Sequence, residues 1–304
     1  MYIKALHPVK DDGEAKIIPK EVLEMFEILE KKCLNPTVTL MRIHAPLVAK
    51  KAEPGQFIIL RADENGERIP LTVADYDREN GSVTIIFQVV GATTEKLNHL
   101  NEGDCLHDFA GPLGRATHTD GLKKVAVVGG GVGCAIAYPV AKKLHELGCE
   151  VHTIAGFRTK DLVILEDEFR AASSKFMLMS DDGSCGEKGL VTDALRKLIE
   201  SGEKYDEVIT IGPLIMMKFV CALTKEFGIK TVASMNPIMI DGTGMCGGCR
   251  LTVGGKMKFA CVDGPEFDGH EIDFDEIMSR NSMYKPFERK AHEETCNLFK
   301  QEVK

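Results

Sequence analysis

The segment Asp241–Cys261, DGTGMCGGCRLTVGGKMKFAC, sets one carboxylate and three thiols in the pattern D-x4-C-x2-C-x11-C. A four-residue gap, a close pair and a distant last sulfur make the ligand spacing of plant-type [2Fe–2S] loops, with Asp241 standing where the first cysteine would. Gly242, Gly244, Gly247 and Gly248 let the backbone turn around a cluster and aim N–H groups at sulfur. The chemistry implied is one-electron transfer, with Asp241, Cys246, Cys249 and Cys261 as iron ligands. Two other readings attach to the same residues. A lone C-x-x-C is often half of a zinc site, and Asp can ligate zinc; no second C-x-x-C and no H-x-x-x-H occurs in the chain. A redox dithiol calls for a βαβ context around the motif, which the flanking sequence lacks.

A second chemical signal is GGGVGC, Gly129–Cys134, between an apolar run and an amphipathic one. Glycines at a strand's carboxyl end let a pyrophosphate approach the backbone, and the following helix offers N–H groups and a positive dipole end. The turn is not a strict G-x-G-x-x-G, and a glycine turn without a ligand is the alternative. RIPLTV, residues 68–73, offers an arginine and a hydroxyl on one strand, suited to a flavin's phosphates and ring edge or simply to a sheet surface. GATTEKLNHL, residues 91–100, reads as a turn and a helix whose Thr93 and Thr94 either cap that helix or meet a pyrophosphate. The nine histidines pair with no Cys or Ser in a nucleophile motif.

The elements that must position these groups fall into two textures. From Met25 to about Gly114, short alternating strands (TVTLMRIHA, GQFIILRA, IPLTVADY, SVTIIFQVV) are separated by turns, the pattern of an antiparallel β-barrel. From Lys123, KKVAVVGGGVGCAIAYPVAKKLHELG is a buried strand, a glycine turn and a helix. CEVHTIAGF, KFMLMSDDG and YDEVITIGP follow as further buried strands, so this half is a parallel α/β sheet. The expected division is an extension over 1–24, a barrel over 25–118, an α/β domain over 119–235, a cluster lobe over 236–271 and a charged helical tail over 272–304.

Composition narrows the function classes. Lys plus Arg is 38 against 46 Asp plus Glu, a net charge of −8, which argues against nucleic acid. Ten cysteines without a signal peptide point to reduced thiols in a cytoplasmic protein. No apolar run approaches the roughly 18 residues of a membrane span.

Taken in order, R-x-P-L-T, G-A-T-T, GPLG at 111–114, GGGVG, the Asp–Cys loop and CVDGPEF at 261–267 resemble the ferredoxin–NADP reductase superfamily. The likeness covers residues 25 to about 270. Within that superfamily it is nearest the small electron-transfer subunits of dihydroorotate dehydrogenase and of NADH-dependent reduced ferredoxin:NADP oxidoreductase; Asp241 in place of a cysteine favours the second. The resemblance implies FAD on the barrel, at Arg68, Pro70, Leu71, Thr72, Gly91, Thr93 and Thr94. The superfamily arginine commonly lies three residues before the hydroxyl, where this chain has Ile69. The resemblance implies NAD(H) over Gly130, Gly131 and Val132, with further contacts at Arg158, Asp181, Asp182, Gly183, Gly212 and Met216. NADP(H) is the alternative if Arg158 and Lys160 meet a 2′-phosphate. It further implies a larger flavin and [4Fe–4S] subunit completing a heterodimer that uses ferredoxin and bifurcates electrons. The other reading is an adaptor feeding a dihydroorotate dehydrogenase or hydrogenase module. Hydride exchange between nicotinamide and flavin needs no general base, and none is assigned.

Overall fold

The structure, a computed structural model, describes residues 26–302; the stretch 1–24 read as an extension lies outside them. The alternating segments become β1 (Ile28–Asn35), β2 (Val38–His44), β3 (Phe57–Arg61), β4 (Ile69–Asp77), β5 (Ser82–Gln88) and β6 (Asp108–Leu113). Helix α1 (Pro46–Ala49) follows β2, and α2 (Ala92–His99) follows β5. The strands make one antiparallel sheet in the order β1-β2-β5-β4-β3-β6. Its two ends meet: Glu27 bridges Cys105, and Ile28 N donates to Asp104 O at 2.8 Å. The sheet thereby curls into the expected barrel, filled by Met41, Ile43, Ile58, Leu60, Val73, Ile85 and Phe87.

The second half alternates strands and helices. Strands β7 (Lys124–Gly130), β8 (Glu150–Phe157), β9 (Lys175–Ser180), β10 (Glu187–Lys188), β11 (Glu207–Ile211) and β12 (Thr231–Ser234) are interleaved with α3 (Cys134–Glu146), α4 (Glu166–Ala171), α5 (Val191–Glu200) and α6 (Leu214–Glu226). The C-terminal part adds the hairpin β13 (Arg250–Val253) and β14 (Lys256–Phe259), α7 (Ala260–Asp263), β15 (Glu266–Asp268), α8 (Phe274–Ser282) and α9 (Lys285–Glu302). The second sheet runs β10-β9-β8-β7-β11-β12-β15, parallel except for β15. The order reverses between β7 and β11, and the crevice beyond their carboxyl ends is where doubly wound sheets bind ligands. Strand β15 lies within the stretch expected as the cluster lobe, yet it extends the parallel sheet, with Phe267 paired to Ala233. Helix α9 returns to lie against α2. Among the described residues no helix is long and apolar enough to cross a membrane.

Two shared cores weld these parts together. Successive residues of a strand face opposite sides, and β3 is buried on both. Ile58 and Leu60 enter the barrel, while Phe57 and Ile59 join Met217, Met235, Cys249, Leu251 and Cys261. On the other flank Val38, Ala74 and Ile86 of the barrel share a core with Val127, Ala137 and Ile211, and Lys142 of α3 pairs with Asp75 at 3.1 Å.

At the junction of barrel and β15, Thr117 Oγ1 donates to Glu266 Oε1 at 2.7 Å. Burial pushes the Glu266 carboxyl up to about 7, because ionising it there forgoes hydration. Between its ordinary 4.5 and about 7 the folded state binds more protons than the unfolded one, so stability falls as pH rises through that window. Glu266→Gln is expected to flatten this slope, read from urea unfolding midpoints at a series of pH values.

Candidate functional site

The cluster loop takes shape where the chain leaves β12 and crosses back onto the barrel. Gly242 has φ of +82°, and a Cβ there would lie 2.7 Å from Leu113 Cδ1 and 3.0 Å from Ile59 Cγ1. Only glycine allows the loop to seat this closely on β3 and β6. Cys249 and Cys261 are buried and Cys246 is exposed. Backbone amides are aimed at the sulfurs: Gly248 N reaches Cys246 Sγ at 3.5 Å, and Cys261 N reaches Cys249 Sγ at 3.4 Å. Amide donors from Gly248, Asp241 and Ile240 hold the Cys246 thiol below its usual range, since they favour the thiolate. Burial, reinforced by the neighbouring Cys249 sulfur, pushes Cys261 up to about 12. Such a thiol loses its proton only in exchange for another cation, as metal binding provides. The Asp241 carboxylate accepts from Thr243 N at 3.0 Å and from the Thr243 hydroxyl, which hold it below the ordinary carboxylate range.

These donors fit an iron–sulfur unit. Three thiols able to give up their protons to a metal and a carboxylate, with N–H groups supplied by glycine-rich backbone, match its ligand and hydrogen-bond requirements. One tetrahedral zinc would draw its ligands to about 2.3 Å from a single point. Among the described residues, only Glu150, His152 and Glu203 bring three donor atoms within 4.8 Å of one another. That trio already surrounds a cation: Lys124 Nζ lies 2.8 Å from Glu150 and 2.5 Å from Glu203.

The second part of the site is a cleft of about 1190 Å³ between barrel and parallel sheet. Pro70, Leu71, Thr72 and Thr94 line its barrel end, and Gly130, Gly131, Val132, Arg158, Asp181, Gly212 and Met216 line the other. The residues that sequence reasoning drew from two separate motifs therefore face one cavity. Gly131 has φ of +55° with open space where a Cβ would be, beside the N-terminus of α3. The titratable lining groups, Arg158, Asp181, Asp193, Arg196 and Glu226, all belong to the parallel-sheet half.

Several residues named from the sequence sit elsewhere. Arg68 is exposed and donates from Nε to the Ile240 carbonyl at 2.9 Å, joining the barrel to the cluster loop. Thr94 Oγ1 accepts from Val90 N and Gly91 N, each at 3.0 Å, and so caps α2 while also lining the cleft. Thr93 turns the other way, donating to Glu67 at 3.0 Å, and Gly91 is the N-cap of α2. Asp182 accepts from Ser184 N and Oγ at 2.9 and 2.6 Å, and neither it nor Gly183 lines the cleft. Sequence reasoning missed Asn35, Thr37 and Gln88 at the barrel end and Met235 to Pro237 beyond β12. The last group was findable, since crevices form at the carboxyl ends of such strands.

Residues 236–273 match the family described as the iron–sulfur cluster binding domain of dihydroorotate dehydrogenase B. The chain is 54% identical over 275 residues to a Clostridium beijerinckii protein known from the adh 3′ region, with 88% of this chain and 93% of that protein covered. It is 49% identical over 267 residues to a Thermotoga maritima homolog of the dihydroorotate dehydrogenase B (NAD(+)) electron transfer subunit, covering 88% and 94%. Among solved structures it resembles a chain of NADH-dependent reduced ferredoxin–NADP oxidoreductase, studied for flavin-based electron bifurcation. That match has a TM-score of 0.85 at 46% identity and covers 89% of this chain and 97% of that one.

Two substitutions probe the two parts of the site. Gly131→Val is expected to raise the dissociation constant for NADH at least about tenfold while leaving the visible spectrum of the cluster unchanged. The branched side chain disfavours φ > 0 and fills the space at the helix N-terminus; unchanged NADH titrations would place the nucleotide elsewhere. Asp241→Cys is expected to keep a cluster, since a thiolate of equal charge completes the set. Asp241→Ala should lose iron and sulfide on gel filtration, and unchanged content and EPR spectrum would assign the fourth ligand elsewhere.

Proposed function

The chain belongs to the family of dihydroorotate dehydrogenase B electron-transfer subunits and their homologues, within the ferredoxin–NADP reductase-like fold, and from that premise we propose the following division of labour. The barrel end of the cleft holds FAD, the glycine turn holds NAD(H), and Asp241, Cys246, Cys249 and Cys261 hold a [2Fe–2S] cluster. The observation that carries this reading is the convergence of Pro70–Thr72 and Gly130–Val132 on one cleft, while the cluster loop rests on β3 and β6 of the same barrel.

A bound flavin takes up a hydride as an electron pair and gives electrons up singly. The chain's own part is positional. Pro70, Leu71 and Thr72 form a wall against which a planar ring can lie, and Gly130 to Val132 leave room for a pyrophosphate above α3. Residues lining the barrel end carry no ionisable group, so that end is built for hydride exchange without proton transfer by a side chain. Arg158 and Asp181, which directly follow the paired strands β8 and β9, both line the cleft. An acidic group there suits a ribose 2′-hydroxyl and an arginine a 2′-phosphate; the reading adopted is NAD(H).

In the cell the chain is read as one half of a heterodimer with a larger flavin and [4Fe–4S] subunit, exchanging electrons with ferredoxin and NADP. The second reading, supported by the names of its relatives, is a subunit serving a dihydroorotate dehydrogenase. Protein purified anaerobically is expected to be yellow-brown, with about one FAD and about two irons and two acid-labile sulfides per chain. NADH should bleach the flavin band within mixing time in a stopped-flow experiment. Stoichiometric zinc without sulfide would sink the cluster, and a flavin that NADH cannot reduce would sink the hydride role. Tagged protein drawn from its native host identifies the partner: a large [4Fe–4S] flavoprotein supports the first reading and a dihydroorotate-oxidising subunit the second.

A further inference from the structure

Each of the four expected iron ligands has an arginine on the backbone carbonyl of its sequence neighbour. Arg68 Nε donates to Ile240 O, beside Asp241, at 2.9 Å. Arg250 donates to Gly247 O, beside Cys246, at 3.1 Å. Arg280, from α8, donates to Gly248 O, beside Cys249, at 3.2 Å. Arg115 Nε donates to Val262 O, beside Cys261, at 3.1 Å. Three are remote in sequence from their acceptors: Arg68 just before β4, Arg280 on α8 and Arg115 after β6, while Arg250 opens β13 within the loop itself, three residues from Gly247. One hydrogen bond of this kind is an ordinary loop contact. Four, one per ligand and three of them from outside the loop, place cations around it.

We propose that these arginines form an electrostatic cage that sets the reduction potential of the cluster, raising it by stabilising the charge the added electron brings. This rests on the iron–sulfur reading above. The ligands are all anionic, so the site is negative before reduction and more negative after it. Cations at fixed positions favour the reduced form, and surrounding charge and hydrogen bonds are established levers on such potentials. Arginine suits the task because its guanidinium stays ionised at any working pH. The four are not equal. Arg115 is 71% exposed and has Asp263 at 3.9 Å to offset it. Arg68 and Arg250 are exposed and screened by salt. Arg280 is half-buried against the lobe, so its charge is screened least and its effect should be the largest.

The test is a redox titration followed by EPR on the full chain with its cofactors bound, with iron and sulfide counted for each variant. Arg280→Gln should keep its cluster and hold about tenfold less of it reduced at a given solution potential, which is about 59 mV for a one-electron couple. Arg68→Gln should shift the same ratio by about threefold, and the double variant by about the product, as expected for separated charges. Arg280→Lys and Arg68→Lys keep the charge but lose the planar fork, and should titrate within about twofold of the parent. A full cluster complement with unmoved midpoints in the Gln variants would overturn the proposal and leave the arginines as loop fasteners. Midpoints that fall equally in the Lys variants would also overturn it, by assigning the effect to hydrogen-bond geometry. If Arg280→Gln cannot hold its cluster, the exposed Arg68→Gln and Arg115→Gln decide, and unmoved midpoints in both overturn it. A parent protein without iron would overturn the cluster reading itself, an outcome distinct from a cluster whose potential ignores these charges.

Discussion

Because Ile58 and Leu60 face the barrel interior while Phe57 and Ile59 face the cluster lobe, strand β3 holds two cores in a fixed relation. Burying a side chain of this size stabilises by roughly 1.5–3 kcal/mol, and here consecutive residues contribute to different lobes. Register follows from the same fact, since a slip of one residue would exchange the two faces. The cluster loop then has little choice of position. Gly242 lies against Ile59 and Leu113, and Cys249 and Cys261 are part of the core that Phe57 and Ile59 complete. The distance between barrel and loop is thus set by close-packed side chains rather than by a hinge.

The cleft depends on the opposite flank. Val38, Ala74 and Ile86 bring β2, β4 and β5 against α3 and the parallel sheet, so the switch point between β7 and β11 opens toward Pro70–Thr72. Neither half makes the cavity alone. The barrel contributes an apolar wall, and the sheet contributes glycine backbone, a helix N-terminus and the ionisable lining groups. Two-electron chemistry fits the cleft and one-electron chemistry fits the loop, with β3 and β4 between them as the common support.

Much of this was legible in the sequence because the signals are local. The change of period at Lys123, the glycine turn and the Asp–Cys spacing each lie within a few residues, and the barrel, the doubly wound sheet and the loop appear where those signals put them. What was hidden is non-local. Nothing near Arg68 shows that its partner is Ile240, 172 positions away, and nothing near Glu266 shows that β15 will pair with β12. Arg280 reads as one charge in a polar helix until α8 is seen against the loop. Thr93 and Thr94 illustrate a finer limit. Adjacent hydroxyls at a helix start look equivalent in sequence, yet the turn sends one to Glu67 and the other to its own N-cap.

The burial gradient across the loop suits an oxygen donor at Asp241 better than at the buried thiols. Cys249 and Cys261 are each 2% exposed and sit together, with the Cys261 amide on the Cys249 sulfur. Cys246 lies at the surface beside Met245, which is 88% exposed, and takes an amide from Asp241. The loop therefore divides into a buried thiol pair and a more accessible Asp–Cys pair. A carboxylate matches a thiolate in charge but is far more strongly hydrated, so moving it into an apolar core costs more. At the more accessible end Asp241 gains the Thr243 hydrogen bonds, so an oxygen donor in the loop costs the fold least at this position. The same exchange at Cys249 or Cys261 would bury an ionised carboxylate within the core that β3 shares, and would weaken the contact that fixes the loop to the barrel.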